Sequence, residues 1–403
     1  MSDHRISTDP RSSHPGDRTA RRSRLRWLAG AAIAAFAISR PSVAAPVFAL
    51  QTPRPLAKLD GLMIAAAAAS PSDAWAVGAL MAHWDGKTWQ SVALPVAGSQ
   101  LNDATAITSN DYWAVGTGND TTLAQHWDGN NWSVVATPTP LGASPRFSSV
   151  TSHASNDVWI AGSQESPVDP DAIVPLFEHW DGTSWTIVPS PEPNPEGFYF
   201  VNKISEESTS DIWAAGNNGS GPSATPFFYH WNGTAWSQVS SPALQFGGNL
   251  NGVVALSPTN AWAAGSANAK PIMIKSQAIS ANPIQTLIEH WDGKAWSVVA
   301  SPNFGPTALN QSNHLMSVVA LSPTDLWAVG RAFIPDGSGQ QITFALHGDG
   351  TSWTIQPTPD VGSNNTLFGA AVALPSSVWF VGAGNFPNLE SGSGPLIAGT
   401  TGG

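Results

Sequence analysis

Two short sequence motifs lie close together at residues 111–132. We call Asp111-Tyr-Trp-Ala-Val-Gly116 the first word and His126-Trp-Asp-Gly-Asn-Asn-Trp132 the second word. The first word recurs seven times, and in every copy a glycine follows the tryptophan by three positions. Its tryptophans are Trp75, Trp113, Trp159, Trp213, Trp262, Trp327 and Trp379. Five copies of the second word end at Trp89, Trp132, Trp185, Trp236 and Trp296, and a degraded copy ends at Trp353. Seven copies of one pattern predict seven structural units.

Each unit has the pattern of four short strands. Apolar residues stand twelve and nine positions before every first-word tryptophan, as Leu315 and Val318 do before Trp327, and a turn separates them from it. This spacing predicts one hairpin. The Asp-Gly pair of the second word predicts another, because tight hairpin turns need residues that tolerate positive φ. Such small units must stack to bury their faces, so we predict an all-β, seven-bladed β-propeller of four-stranded antiparallel blades.

The two ends of the chain indicate how the ring closes. The seventh unit has no second word after Trp379. Near the other end, Phe48-Ala-Leu-Gln-Thr-Pro53 resembles Trp353-Thr-Ile-Gln-Pro-Thr358, which is a predicted fourth strand. We therefore predict that the last blade is closed by an N-terminal strand, and that residues 46–403 form a single propeller domain.

Residues 1–45 have the pattern of a signal peptide. A polar, arginine-rich lead precedes the uncharged residues 27–39, and small residues follow. These thirteen uncharged, mostly apolar residues are fewer than the roughly 20 that a membrane-spanning helix needs, so we expect secretion to an extracytoplasmic location without stable membrane insertion. Arg21-Arg22 resembles a twin-arginine signal, although Arg24 stands where an aromatic residue is usual. The export route and the cleavage of this segment stay open.

Charge and composition exclude several classes of partner and chemistry. Of 17 basic and 28 acidic residues, eight and three lie in the first 44 positions, so the remainder has 9 and 25 and a net charge of −16. A surface of this sign repels phosphate backbones, which argues against nucleic acid or an anionic membrane as a partner. The chain has no cysteine, which excludes disulfides and cysteine-ligated metals. We expect no cofactor.

Repetition assigns most tryptophans and histidines to structural roles. Eighteen of the 19 tryptophans and six of the ten histidines occupy repeated positions. Because successive strand residues point to opposite faces, we expect these side chains between blades rather than as sugar platforms or metal ligands. The chain has no HExxH pair, and Asp169-Pro-Asp171 alone is more typical of a solvated loop than of a calcium site. We expect no metal site.

The chain beyond residue 45 resembles the Trp-rich propeller repeats of secreted bacterial proteins. Its layout is similar to that of kelch, galactose-oxidase-like propellers and of Asp-box, sialidase-like propellers. It departs from both, because kelch repeats carry a Gly-Gly doublet and the Asp-box turn is one residue longer than Asp85-Gly86-Lys87-Thr88-Trp89. The resemblance implies the fold. The absence of cysteine excludes the copper chemistry of galactose oxidase. A sialidase-like glycoside hydrolase would need an arginine triad, and Arg54, Arg146 and Arg331 are the arginines beyond residue 45.

Loop lengths predict where a ligand binds. In such a blade the turns between strands one and two and between strands three and four share one face, and in this chain they are short. The other loops vary widely, and variable loops on a rigid scaffold are the usual place of binding. Residues there that break the repeat are our candidate ligand-binding set: Arg146, Phe198, Tyr199, His314, Arg331 and Asp336.

These observations favour a recognition module over an enzyme. We predict no catalytic residue, and we expect a monomeric, exported binding protein for a carbohydrate or an extracellular protein ligand. A structural or assembly scaffold is the main alternative, and a sialidase-like hydrolase is the less favoured one.

Overall fold

Seven four-stranded antiparallel sheets make up most of the part of the chain that the computed structural model describes. That part comprises residues 48–52, 59, 61–119, 121–191, 197–270, 273–274, 277–278, 283–305, 312–334, 338–386 and 394–400. All of it belongs to one compact unit, Ala45–Gly403. The signal-peptide prediction concerns residues outside this part.

The sheets, which we call blades 1 to 7, follow the seven copies of the first word in chain order. In blades 1 to 6 each strand pairs with the next strand of the same blade, and in blade 7 a strand from the start of the chain pairs with the last one. The strands are Met63–Ser70, Asp73–Gly78, Met81–Trp84 and Trp89–Val92 in blade 1; Gln100–Thr108, Asp111–Gly118, Thr121–Trp127 and Trp132–Val134 in blade 2; Arg146–Ala154, Asp157–Glu165, Ile173–Trp180 and Trp185–Ile187 in blade 3; Tyr199–Ser208, Asp211–Asn218, Thr225–Trp231 and Trp236–Val239 in blade 4.

The same arrangement continues through the rest of the chain. The strands are Gly248–Ser257, Asn260–Asn268, Ile284–Trp291 and Trp296–Val299 in blade 5; Asn313–Ser322, Asp325–Phe333, Gln341–Gly348 and Trp353–Gln356 in blade 6; Ser363–Ala373, Ser377–Asn385, Gly394–Thr400 and Phe48–Leu50 in blade 7. A 3-10 turn, Gly221–Ser223, and a two-stranded ribbon, Met273–Ile274 with Gln277–Ala278, lie outside the blades. The first strands of successive blades contact one another around the whole ring, including blade 7 with blade 1. The predicted seven-bladed propeller is confirmed.

The N-terminal strand closes blade 7, as the sequence predicts. Phe48–Leu50 runs antiparallel to Gly394–Thr400, with Ala49 opposite Gly399. The ring of Phe48 packs edge-on against Trp327 at 4.9 Å and 84°. Trp132 meets Trp75 in the same way, at 5.2 Å and 90°. Phe48 therefore replaces the final tryptophan that the seventh unit lacks.

The tryptophans form the contacts between blades. Trp113 of blade 2 is 1% exposed, and its ring lies 5.2 Å from both Trp180 and Trp185 of blade 3. Equivalent clusters recur around the ring and close it where Trp379 of blade 7 meets blade 1. The expectation that repeated tryptophans are core residues is confirmed for twelve of the eighteen, which are buried. The other six are half-buried: Trp84, Trp127, Trp132, Trp180, Trp231 and Trp291.

The repeated histidine has its partners within its own blade rather than in the next one. His126 contacts Trp113 at 4.5 Å, and its Nε2 hydrogen-bonds Oδ1 of Asp111 at 2.9 Å. The first-word aspartate also accepts a bond from the following blade, as Asp73 does from the hydroxyl of Tyr112 at 3.0 Å. The aspartate of one word and the histidine of the other therefore form one structural unit.

A β-bulge near the start of every first strand determines what points to the ring centre. In blade 2 the register shifts between Leu101 and Asp103, so Asn102 is an extra residue. The first-word glycine makes this approach possible, because a Cβ on Gly116 would lie 2.0 Å from the carbonyl oxygen of Gln100. The same glycine meets the same contact in all seven blades, at 1.8 to 2.2 Å. A bulge re-aims the side chains beside it.

Candidate functional site

The two faces of the ring differ in their connections. Turns between the first two strands have two residues in six blades and three in blade 7, and turns between the last two strands have four residues in blades 1 to 6. We call this side the short-turn face. The opposite side, the long-loop face, carries connections that range from residues 79–80 in blade 1 to residues 269–283 in blade 5.

Acidic side chains on the short-turn face hold turns. Oδ1 of Asp85 accepts hydrogen bonds from the N–H groups of Lys87 and Thr88, each at 2.9 Å. These bonds hold the pKa of the Asp85 carboxyl below its ordinary value, because they favour the charged form. The repeated aspartate of the second word is therefore a turn-stabilising group.

A cavity between blades 1 and 2 is lined by tryptophan. It has a volume of about 590 Å³ and is bordered by Trp75, Trp127 and Trp132. The same aromatic cluster recurs elsewhere, since Trp113 and Trp185 are also 5.2 Å apart. This cavity follows from interblade packing and does not distinguish blade 1.

Arg146 lies on the long-loop face between blades 2 and 3. It is exposed and lines a cavity of about 550 Å³ with Gln100, Asn119 and Ser144. This cavity is polar and has a basic side chain at its edge, as a site for an acidic or hydroxylated group would.

His314 lies in a second cavity of the long-loop face, at blades 4 to 6. The cavity has a volume of about 380 Å³ and includes Asn217 and Asn249. The Nδ1 atom of His314 hydrogen-bonds Ser266 Oγ at 3.0 Å, and its Nε2 atom hydrogen-bonds Ser312 Oγ at 2.7 Å. Burial, followed by the charge of Arg331, lowers the pKa of His314 to about 4. The imidazole is therefore neutral near pH 7.

Arg331 stands directly opposite His314 in the ladder of blade 6. Its Nε is buried and has no hydrogen-bond partner among the described residues. Burial lowers the pKa of the guanidinium. Four positions after other first-word tryptophans, blades 3 and 5 have Ser163 and Ser266, which hydrogen-bond the next blade. The remaining units have Ala79, Thr117, Asn217 and Ala383 at this position, so Arg331 is its one charged residue among the seven units.

Phe198 and Tyr199 separate into different environments. Phe198 is 45% exposed, whereas Tyr199 is 5% exposed and its ring packs edge-on against Phe227 at 5.5 Å. Burial raises the pKa of the Tyr199 hydroxyl. Tyr199 is thus a core residue between blades, and its substitution would test folding. Asp336 lies outside the described residues.

The structure therefore brings His314 and Arg331 together and places Arg146 in a separate cavity. Within the described part of the chain, no group of three His, Cys, Asp or Glu residues is placed to hold a metal ion. Among those described residues, no helix combines the length and the apolar composition that a membrane crossing requires.

Sequence reasoning missed the centre of the ring. The bulge residues, which stand eleven positions before each first-word tryptophan, line a central channel with a cavity of about 240 Å³. We call them the channel ring: Ile64, Asn102, Ser148, Asn202, Asn251, Met316 and Phe368. These positions change from unit to unit, while the residues one position before and two positions after them are apolar in every unit. That change within an otherwise regular strand is the signal that could have identified them.

Comparisons with known proteins agree on the architecture. No protein-family model matches the chain, and no curated protein matches it. Among solved structures, RRP9 WD40 repeats align with a TM-score of 0.58 at 9% identity, covering 88% of this chain and 98% of that one. YCF48 bound to D1 peptide gives 0.55 at 14% identity, covering 91% and 100%. A polysaccharide lyase, PL25 ulvan lyase bound to a glucuronic acid–sulfated rhamnose disaccharide, gives 0.50 at 10% identity, covering 85% and 94%. At such low identity these likenesses show the fold alone, which is a seven-bladed β-propeller.

Proposed function

We propose that the protein is an exported, non-catalytic recognition module that binds a glycan or an extracellular protein on its long-loop face. The proposal combines the secretory pattern of residues 1–45 with the uneven loops of that face. The fold accommodates both ligand classes in other proteins, since YCF48 is described with a bound peptide and PL25 ulvan lyase with a bound disaccharide.

The environment of Arg331 is the observation that carries the proposal. A guanidinium N–H that is buried without an acceptor is costly, because it loses hydration without regaining a hydrogen bond. Lys203, by contrast, has both oxygens of Asp103 within 2.8 Å. The Nε of Arg331 has no partner among the described residues, and the nearby His314 is neutral. A carboxylate, sulfate or hydroxyl oxygen of a ligand would supply the missing acceptor.

The test measures binding and stability on the same variants. The purified protein is applied to a glycan array and to immobilised extracellular proteins, and affinity for the best ligand is measured by calorimetry. Arg331→Met keeps the apolar stem and removes the charge-assisted bonds, so we expect affinity to fall about tenfold to a hundredfold. The melting temperature should stay unchanged or rise, because a buried N–H group without an acceptor is removed.

A matched control lies on the other face. Lys294 is an exposed cation in a short turn of blade 5, and Lys294→Met should leave affinity unchanged. Arg146→Ala tests the separate cavity between blades 2 and 3. Equal affinity of Arg331→Met, Arg146→Ala and the wild type for every ligand found would refute binding by the long-loop face.

A further inference from the structure

The channel ring has two chemically different walls. Blades 2 to 5 contribute the polar residues Asn102, Ser148, Asn202 and Asn251, which follow one another around the ring. Blades 6, 7 and 1 contribute Met316, Phe368 and Ile64. All seven side chains are half-buried. A binding cavity with an apolar wall and a few oriented polar groups is typical of small-ligand sites.

Main-chain contacts fix the orientation of the polar side chains. The Nδ2 of Asn102 donates to the carbonyl oxygen of Phe147 in the next blade at 2.7 Å. Asn202 donates in the same way to Leu250 at 2.7 Å. Because a carbonyl oxygen accepts only, the atom facing it must be the amide nitrogen. The Oδ1 of each amide therefore points elsewhere.

Two of these amide oxygens lack a donor among the described residues. The Oδ1 of Asn251 accepts from Asn249 at 2.7 Å, but no described group donates to Oδ1 of Asn102 or Asn202, which line the cavity. The polar wall thus presents acceptors to whatever enters, and it favours a ligand with hydroxyl or ammonium donors.

The charges that line the cavity decide between a hydroxyl ligand and an ammonium ligand. The charged residues that line the cavity are Asp103 and Lys203, and Lys203 Nζ lies 2.8 and 2.6 Å from the two carboxylate oxygens of Asp103. Ser149 and the Val150 N–H also donate to Oδ2 of Asp103, at 2.5 and 3.0 Å. The carboxylate is therefore already neutralised, and the cavity favours a neutral ligand.

We propose that the central channel binds one neutral pyranose ring. Its C–H face packs on Phe368 between Met316 and Ile64, and its hydroxyl groups donate to the amide oxygens of Asn102 and Asn202. The cavity of about 240 Å³ lies below the range of about 300–1,000 Å³ for drug-sized ligands, which suits a single sugar ring. The inference deepens the proposed function, because it assigns the terminal sugar of a glycan ligand to the channel.

The test uses monosaccharides that are too small to need the loops. Methyl glycosides of neutral hexoses, N-acetylhexosamines and deoxyhexoses are titrated into the purified protein and followed by ligand-detected NMR and calorimetry. At least one should bind. Phe368→Ala removes the apolar wall without breaking a main-chain contact and should weaken binding about tenfold, equivalent to about 1.4 kcal/mol. Ile64→Trp should abolish binding by filling the channel.

The controls separate this inference from the proposed function. Ile355→Ala changes a 41% exposed side chain on an outer strand and should bind the sugar as the wild type does. Arg331→Met should leave monosaccharide binding intact even where it weakens a larger ligand. The channel inference is overturned if no glycoside binds, if Phe368→Ala binds equally well, or if N-acetyl-lysine amide binds in place of sugars. Loss of long-loop binding in Arg331→Met, with no sugar bound, would leave the proposed function standing alone.

Discussion

Replacing Trp213 by alanine tests whether the interblade aromatic clusters hold the ring together. Trp213 is 0% exposed, and its ring lies 4.4 Å from His230, 4.8 Å from Trp291 and 5.1 Å from Trp296. Truncation of a buried tryptophan costs about 3–5 kcal/mol. Since the site joins blades 4 and 5 and is surrounded by rigid rings that cannot collapse into the space, we expect the upper half of that range.

The loss is large relative to a typical total stability of about 5–15 kcal/mol. It should be measured by urea unfolding followed by far-ultraviolet circular dichroism, because removing an indole changes the fluorescence itself. Val298→Ala is the control, since Val298 is 51% exposed on the outer strand of blade 5 and should change stability by less than about 0.5 kcal/mol. A loss below about 1 kcal/mol for Trp213→Ala would show that the aromatic clusters do not hold neighbouring blades together.

Three further substitutions test closure, pH dependence and the bulge. Phe48→Ala removes the ring that packs on Trp327 and Phe380 and should lower stability by about 2–3 kcal/mol, whereas Leu50→Ala, at a 43% exposed position in the same strand, should have little effect; equal melting temperatures would argue against closure by this strand. Glu178 is 0% exposed, and burial raises its pKa to about 8 from 4.5. Between these two pKa values the folded state holds a proton that the unfolded state releases. The stability that protonated Glu178 contributes is therefore complete below about pH 4.5 and is lost as the pH rises to about 8. Melting temperatures of Glu178→Gln should fall less across that interval than those of the wild type, and parallel profiles would contradict the burial argument. Gly330→Ala places a Cβ 1.8 Å from the carbonyl oxygen of His314 and should cost more than about 2 kcal/mol in chemical unfolding; wild-type stability would show that the bulge can relax.

Most of the architecture could be predicted because its signals are local. Asp85-Gly86 specifies a hairpin turn by its own chemistry, and the structure shows the aspartate bound to the two N–H groups of that turn. The likeness of Phe48–Leu50 to a fourth strand predicted its pairing with Gly394–Thr400, which is confirmed. Period and turn residues act over a few positions, so they can be recognised without knowledge of the rest of the chain.

The candidate site was less predictable, because exposure depends on packing between blades. Phe198 and Tyr199 are adjacent and both break the repeat, yet one is 45% exposed and the other 5% exposed. The alternation of a strand places one towards solvent and the other against Phe227. Which of the two faces the core depends on the register of blade 4, and a single sequence does not state that register for residues at the start of a strand.

The sequence alone determined the number of blades, their hairpins and the strand that closes the ring, since each follows from repetition or from a turn a few residues long. The tertiary structure decided which unrepeated residues meet. Asp103 and Lys203 are 100 positions apart and belong to blades 2 and 4, yet they form an ion pair. Ser149 of blade 3, which lies between them in the ring, donates a hydrogen bond to the same aspartate. The curvature of the ring and a bulge in each first strand aim these side chains at one axis, and that convergence is a property of seven packed sheets that no single repeat contains.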